Sequence, residues 1–134
     1  MSGIKLHAGL AVILSILQWL GGLYLFYTVR VINDLNTALQ ILPIHTVIAI
    51  VFFIILVTLL FRAAGMGSGR IVAIPLILLV IQGIIGLIIL LAIYQLIMVD
   101  LNTVGMMGLY VHNPLGLIVT LTTIYAGIRL MKGG

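Results

Sequence analysis

The chain has 134 residues, of which 64% are hydrophobic and 6% charged, with a net charge of +4 and no cysteine. Soluble proteins carry about 25% charged residues, so this composition excludes an ordinary water-soluble domain and predicts an integral membrane protein. A few scattered cations make no nucleic-acid surface, and without cysteine there is no disulfide, thiolate metal site or thiol redox centre.

A helix needs about 20 mostly apolar residues to cross roughly 30 Å of hydrocarbon. Four stretches meet that requirement, at 6–29, 44–61, 71–99 and 115–131. The first is long and no small-residue cleavage site interrupts it, so it is expected to remain as a span rather than to leave as a signal peptide. Arg62 to Arg70, with Gly65, Gly67, Ser68 and Gly69, reads as a short turn between the second and third spans. The other two connectors, 30–43 and 100–114, read as loops holding short capped helical turns at the interface. The expectation is an all-α, up-down four-helix bundle forming one transmembrane domain over 1–134. Lys5, Arg62, Arg70, Arg129 and Lys132 fall on one side of it, and Arg30, Asp34 and Asp100 on the other. Basic loops are retained inside, which predicts a multi-pass protein of the cell membrane with both termini cytoplasmic and both longer loops outward.

Those loops carry one segment twice. Asp34, Leu35, Asn36 and Thr37 lead to Pro43 and His45, and Asp100, Leu101, Asn102 and Thr103 lead to His112 and Pro114. Each histidine follows its aspartate by eleven or twelve residues. The duplication reaches into the membrane, where Gln18 and Gly22 in the first span match Gln82 and Gly86 in the third. The unit is a helix hairpin used twice, packed with a pseudo-twofold axis along the membrane normal. Gly21, Gly22, Gly83 and Gly86 let either a neighbouring helix or a large flat ligand approach the backbone.

His45 and His112 open the second and fourth spans at matching depth. In an up-down bundle those helices are diagonal, with axes roughly 12–14 Å apart. Two imidazoles bound about 2 Å from one metal ion span that distance between backbones. The pair predicts bis-histidine ligation of one heme b per chain. Taken singly, each histidine reads as a polar residue at headgroup level, and only the matched pair favours a ligand role. Zinc is disfavoured because it takes at least three protein ligands. His7 lies at the opposite end and reads as an interfacial or packing residue, with a quinone or proton contact as the lesser reading.

Arg30 is the one strong cation on the outer side, a candidate clamp for a heme propionate or a side chain snorkelling to the interface. Thr46, Asn113 and Tyr110, with Asn36 and Asn102, are candidate donors to propionates or to the outer imidazole nitrogens. Gln18, Gly22, Gln82 and Gly86 are candidates for packing on the heme. Asp34 and Asp100, the only acids, read as helix caps rather than proton carriers. A proton-coupled exporter would need an acid inside the membrane, and neither aspartate lies in a span. Trp19, Tyr24 and Tyr27 fit either the bundle interior or lipid.

The pattern of Gln18 to Gly22, His45 opening the second span, Gln82 to Gly86 and His112 opening the fourth resembles one four-helix half of the heme A synthase family. The resemblance covers nearly the whole chain and implies a heme site near the outer face, with His45 and His112 in the ligand positions. The family's catalytic half carries a glutamate three residues before the first histidine and usually an arginine after it. Here those places hold Leu42 and Thr46, so the chain resembles the cofactor-holding half, and no catalytic residue carries over. A homodimer would rebuild an eight-helix assembly without that glutamate.

Bis-histidine ligation leaves no open coordination position, which favours electron transfer. The leading expectation is a b-type cytochrome passing electrons in a respiratory or quinone-linked membrane complex, as a subunit or a homo-oligomer, with a quinone as a candidate partner. The alternatives are a compact heme A synthase-like enzyme oxidising a heme side chain, and a heme-free structural subunit.

Overall fold

A computed structural model describes residues 2–133. Helix α1 (Ser2–Tyr27) runs into a π-helical turn (Thr28–Ile32), followed by α2 (Leu35–Ala64) and α3 (Gly69–Ile93). Then α4 (Leu101–Met107), a second π-helical turn (Gly108–His112) and α5 (Asn113–Met131) form one continuous rod. No strand occurs among the described residues. Four helices are long and apolar enough to cross a membrane, Gly3–Ile32, Leu35–Ala64, Gly69–Ile93 and Asn102–Met131. The chain is thus an all-α four-helix bundle of multi-pass membrane type.

The second and fourth spans begin well before the places predicted from apolarity. Asp34 accepts a hydrogen bond from the Thr37 N–H at 3.0 Å and another from the Thr37 hydroxyl at 2.6 Å. Asp100 accepts in the same way from the Thr103 N–H at 2.9 Å and from the Thr103 hydroxyl. The repeated segment is therefore an N-capping device that satisfies orphan amides of the first turn. It starts α2 at Leu35 and α4 at Leu101, so most of the expected loops 30–43 and 100–114 is helix. Pro43 is carried inside α2 without ending it. In the fourth rod the π-helical turn stands immediately before Pro114 and re-registers the ladder around the hydrogen bond that proline does not donate.

The bonds that shape these caps also set their charge. Hydrogen bonds from the Thr37 and Thr103 hydroxyls, and then from the same residues' amides, hold the Asp34 and Asp100 carboxyls below the ordinary aspartate range. Asn33 and Gln95 adopt left-handed backbone, φ 59° and 57°, just beyond the first and third spans. The third helix accordingly ends at Ile93, short of the predicted Val99.

Helix α1 packs against α2 and α5, and α3 packs against the same two helices. This ring places α2 and α5 on one diagonal, as the alternating topology predicts. The hydrophobic core lies toward the end that carries the termini: Ile4, Ala8 and Ala11 of α1, Phe52, Leu56, Leu59 and Ala63 of α2, Val72 and Leu79 of α3, and Val119 and Leu130 of α5. The α1–α5 seam is the closest. A methyl group at Gly127 would meet Val12 Cγ2 at 2.6 Å, and the Thr120 hydroxyl reaches across to the Ser15 carbonyl at 3.1 Å. Small residues permit this approach, which in lipid is the main source of helix association.

Candidate functional site

Toward the capped end the bundle opens into a cavity of about 810 Å³, lined by α1, α2, α3, the fourth rod and the adjoining connectors. His45 and His112 both line it. Cofactor and ligand sites occupy roughly 300–1,000 Å³ and are mostly apolar with a few placed polar groups. Leu25, Phe26, Leu39, Leu42, Leu90 and Ile93 supply such walls.

The histidines lie deeper than the sequence suggests, because their helices start earlier. His45 is the eleventh residue of α2, about 15 Å along the axis from the capped end at 1.5 Å per residue. His112 closes the π-helical turn at the corresponding place in the fourth rod. Each ring docks on the glycines of the neighbouring helix in its own hairpin. A Cβ at Gly21 would lie 3.1 Å from His45 Nδ1, and one at Gly22 would lie 3.4 Å from His45 Cε1. A Cβ at Gly86 would lie 3.0 Å from His112 Cε1. Gly22 and Gly86 thus serve as notches for imidazoles, which is the structural meaning of their place in the repeat.

The two glutamines of the repeat are used differently. The Gln18 amide donates to His45 Nε2 at 3.0 Å. Gln82 instead extends over α5, its Nε2 lying 2.6 Å from where a Gly116 Cβ would stand, while its main chain borders the His112 ring. The first hairpin has Ala49 four residues after His45, where the second has Gly116 four residues after His112. A methyl there occupies the space into which a glutamine would lie, so Gln18 turns to the histidine. Among the described residues, three buried side-chain polar atoms have no hydrogen-bond partner: His45 Nδ1, His112 Nδ1 and Gln18 Oε1. Buried polar groups are normally satisfied, and the exceptions call for a ligand or a catalytic explanation.

Arg30 stands at the rim of the cavity, and its guanidinium covers Gly105 of α4, where a Cβ would be 2.8 Å from Cζ. Asn33 and Gln95, the two left-handed residues, line the same rim. Asn113 joins the site, its Oδ1 3.6 Å from the Cβ position of Gly22, and so neighbours the His45 ring. Thr46 lines the cavity, but its hydroxyl donates to the Leu42 carbonyl at 2.9 Å, and a donor spent on its own helix is not free for a ligand.

Tyr110 does not reach the site: it is 64% exposed and absent from the wall. Lying two residues before His112, it falls on roughly the opposite face of the fourth rod. Asn36 and Asn102 are exposed in the first turns of their helices and also lie off the wall. Tyr24 and Tyr27 face outward, and Trp19 fills the α1–α5 seam against Gly116. His7 lies at the other end of α1, where its Nδ1–H donates to the Gly3 carbonyl at 3.0 Å.

Gly83, one of the glycines expected to admit a helix or a flat ligand, lines the cavity, and Asn33, Gln95 and Gly105 join it without having stood out in the sequence. Only Gly105 left a trace, as the glycine replacing Leu39 when the two repeats are aligned. Among the described residues no group of three or more His, Cys, Asp or Glu gathers. Comparison with protein-family models, curated proteins and solved structures yields no match to this chain.

Proposed function

We propose that the chain is a membrane cytochrome of b type, holding one heme in the cavity through His45 and His112. The observation that carries this reading is the pair of imidazoles, from diagonal helices, on the wall of one cofactor-sized cavity, each with a buried and unpartnered ring nitrogen. An unsatisfied buried nitrogen costs about 1–3 kcal/mol, and both rings line the cavity in which a metal-bearing flat ligand would lie. When bound, an iron tetrapyrrole supplies one-electron redox chemistry.

The chain's own residues hold and orient. Gly22 and Gly86 admit the rings close to the α1 and α3 backbones. A metal-binding imidazole needs one nitrogen bare and the other hydrogen-bonded. The Gln18 amide, which both donates and accepts, engages Nε2 of His45. Arg30 at the rim is placed to pair with the carboxylates of an amphiphilic ligand whose apolar part enters the cavity. The orientation with both termini cytoplasmic then puts those carboxylates toward the outer face.

Two protein ligands leave no open iron position, which favours electron transfer, within a respiratory or quinone-linked complex or a homo-oligomer, over substrate oxidation. Leu42 lines the cavity as an apolar side chain at the place where the catalytic half of the heme A synthase family has its glutamate, so the heme-modifying alternative lacks its acid. The test is a reduced-minus-oxidised visible spectrum of the purified protein with pyridine hemochrome analysis. The expected result is a b-type α band at one heme per chain. A folded protein with no heme band contradicts the proposal.

A further inference from the structure

Of the four seams in the ring of helices, the two that join one hairpin to the other, α1–α5 and α2–α3, are built in opposite ways. At the α1–α5 seam Trp19 and Gln82 close on Gly116, and Thr120 bonds to the Ser15 carbonyl. No exposed residue of α5 lines the cavity there. At the α2–α3 seam the wall includes Ile50 and Phe53 of α2 and Val80, Ile84 and Leu87 of α3, all at least 41% exposed. The cavity therefore continues between these helices to the surface that faces lipid. Gly83, an exposed lining residue of α3, shares a helix face with Val80 and Leu87 and has no atom within 4 Å of its Cβ position.

We propose that the α2–α3 seam is a lateral doorway through which the cavity takes its ligand directly from the bilayer, with Gly83 as the sill. The ligand class is a flat apolar amphiphile dissolved in the membrane, and its identification as heme rests on the function proposed above. The doorway lies among apolar side chains, while the polar rim of Arg30, Asn33 and Gln95 lies at the capped end. An amphiphile sliding in from lipid keeps its apolar body out of water throughout and brings its charged edge to Arg30 last. Admission through the capped end would carry the apolar body past these polar groups.

The test compares the wild-type chain with Gly83→Trp, heme-free and reconstituted in phospholipid vesicles, as hemin dissolved in the same vesicles is taken up and the Soret band rises. Leu20→Trp, on the exposed face of α1 and outside the cavity wall, is the control for an added lipid-facing indole. A blocked doorway slows association and release together by about tenfold, since narrowing a route slows passage in both directions. An unchanged association rate, or a raised Kd without slower release, overturns the doorway.

A second readout needs no heme. The chain has no cysteine, so a thiol placed on the wall by Ala49→Cys is its single reactive site. A bilayer-dissolved maleimide should label it about tenfold more slowly when Gly83→Trp is added, and a charged water-borne maleimide at an unchanged rate, as a gate in the lipid path requires. Equal labelling in both backgrounds overturns the doorway. If hemin never binds but labelling is blocked, the heme reading falls and the doorway stands.

Discussion

The two halves of the bundle spend small residues for opposite ends. Toward the termini, Gly127 lets α5 settle on Val12 and Ala8, and Phe52, Leu56 and Leu59 fill the centre with almost no exposure. Toward the caps, Gly22 and Gly86 let imidazoles rather than helices approach, and Gly83 meets nothing. Lipid tails are as apolar as leucine, so packing contacts hold membrane helices together. One half makes those contacts in full, which allows the other to keep a cavity open. The difference separates residues that hold the fold from residues that line the cavity.

Truncation of core side chains gives the largest contrast. Phe52→Ala should cost about 3 kcal/mol, while Leu90→Ala on the cavity wall should cost less than about 1 kcal/mol because its surroundings are already open. Thermal or detergent-induced unfolding reads both, and equal losses would erase the contrast. Adding a methyl sharpens it at smaller scale. Gly127→Ala drives a Cβ to 2.6 Å from Val12 and should cost about 1–3 kcal/mol. Gly83→Ala meets open space and should be neutral or slightly stabilising, by about 0.5–1 kcal/mol of helix propensity.

The caps add a dependence on pH. Asp34 and Asp100 titrate below their ordinary value of 3.8 in the folded chain. A depressed folded pKa means that this stabilisation is complete above the unfolded value and is lost as pH falls through the folded one. Hydrogen-exchange protection at the Thr37 and Thr103 amides should therefore fall as the pH drops below the ordinary value of 3.8. Asp34→Asn should remove that dependence at Thr37 alone. The smallest effect is expected at Gly116→Ala, where the clash is with the flexible end of Gln82. Stability should barely change, while the Gln82 side-chain amide resonance shifts as it leaves the notch.

Much of this was legible in the chain because duplication marks equivalent positions. His45 and His112, Gln18 and Gln82, and Gly22 and Gly86 were paired by spacing alone, and the structure brings all six to one cavity wall. Depth was less legible. Apolarity reports where lipid begins, whereas a helix begins where its amides are capped, so Asp34 and Asp100 moved the helix starts from 44 to Leu35 and from 115 to Leu101. Tyr110 was misplaced because helical phase, not proximity to His112, decides which side chains reach a ligand. Asn33 and Gln95 were missed because a left-handed backbone leaves little trace in a single sequence. The unequal roles of Gln18 and Gln82 depend on Ala49 against Gly116, one methyl group in an otherwise matched pair.

The central claim is that His45 and His112 act as one ligand pair, and the spin state of the bound iron tests it most directly. Wild-type protein should give a low-spin, six-coordinate spectrum. His45→Ala and His112→Ala should each convert it to high spin or lose the heme, while His7→Ala should leave it unchanged. A low-spin spectrum that survives either of the first two substitutions, or that responds equally to all three, would contradict the account.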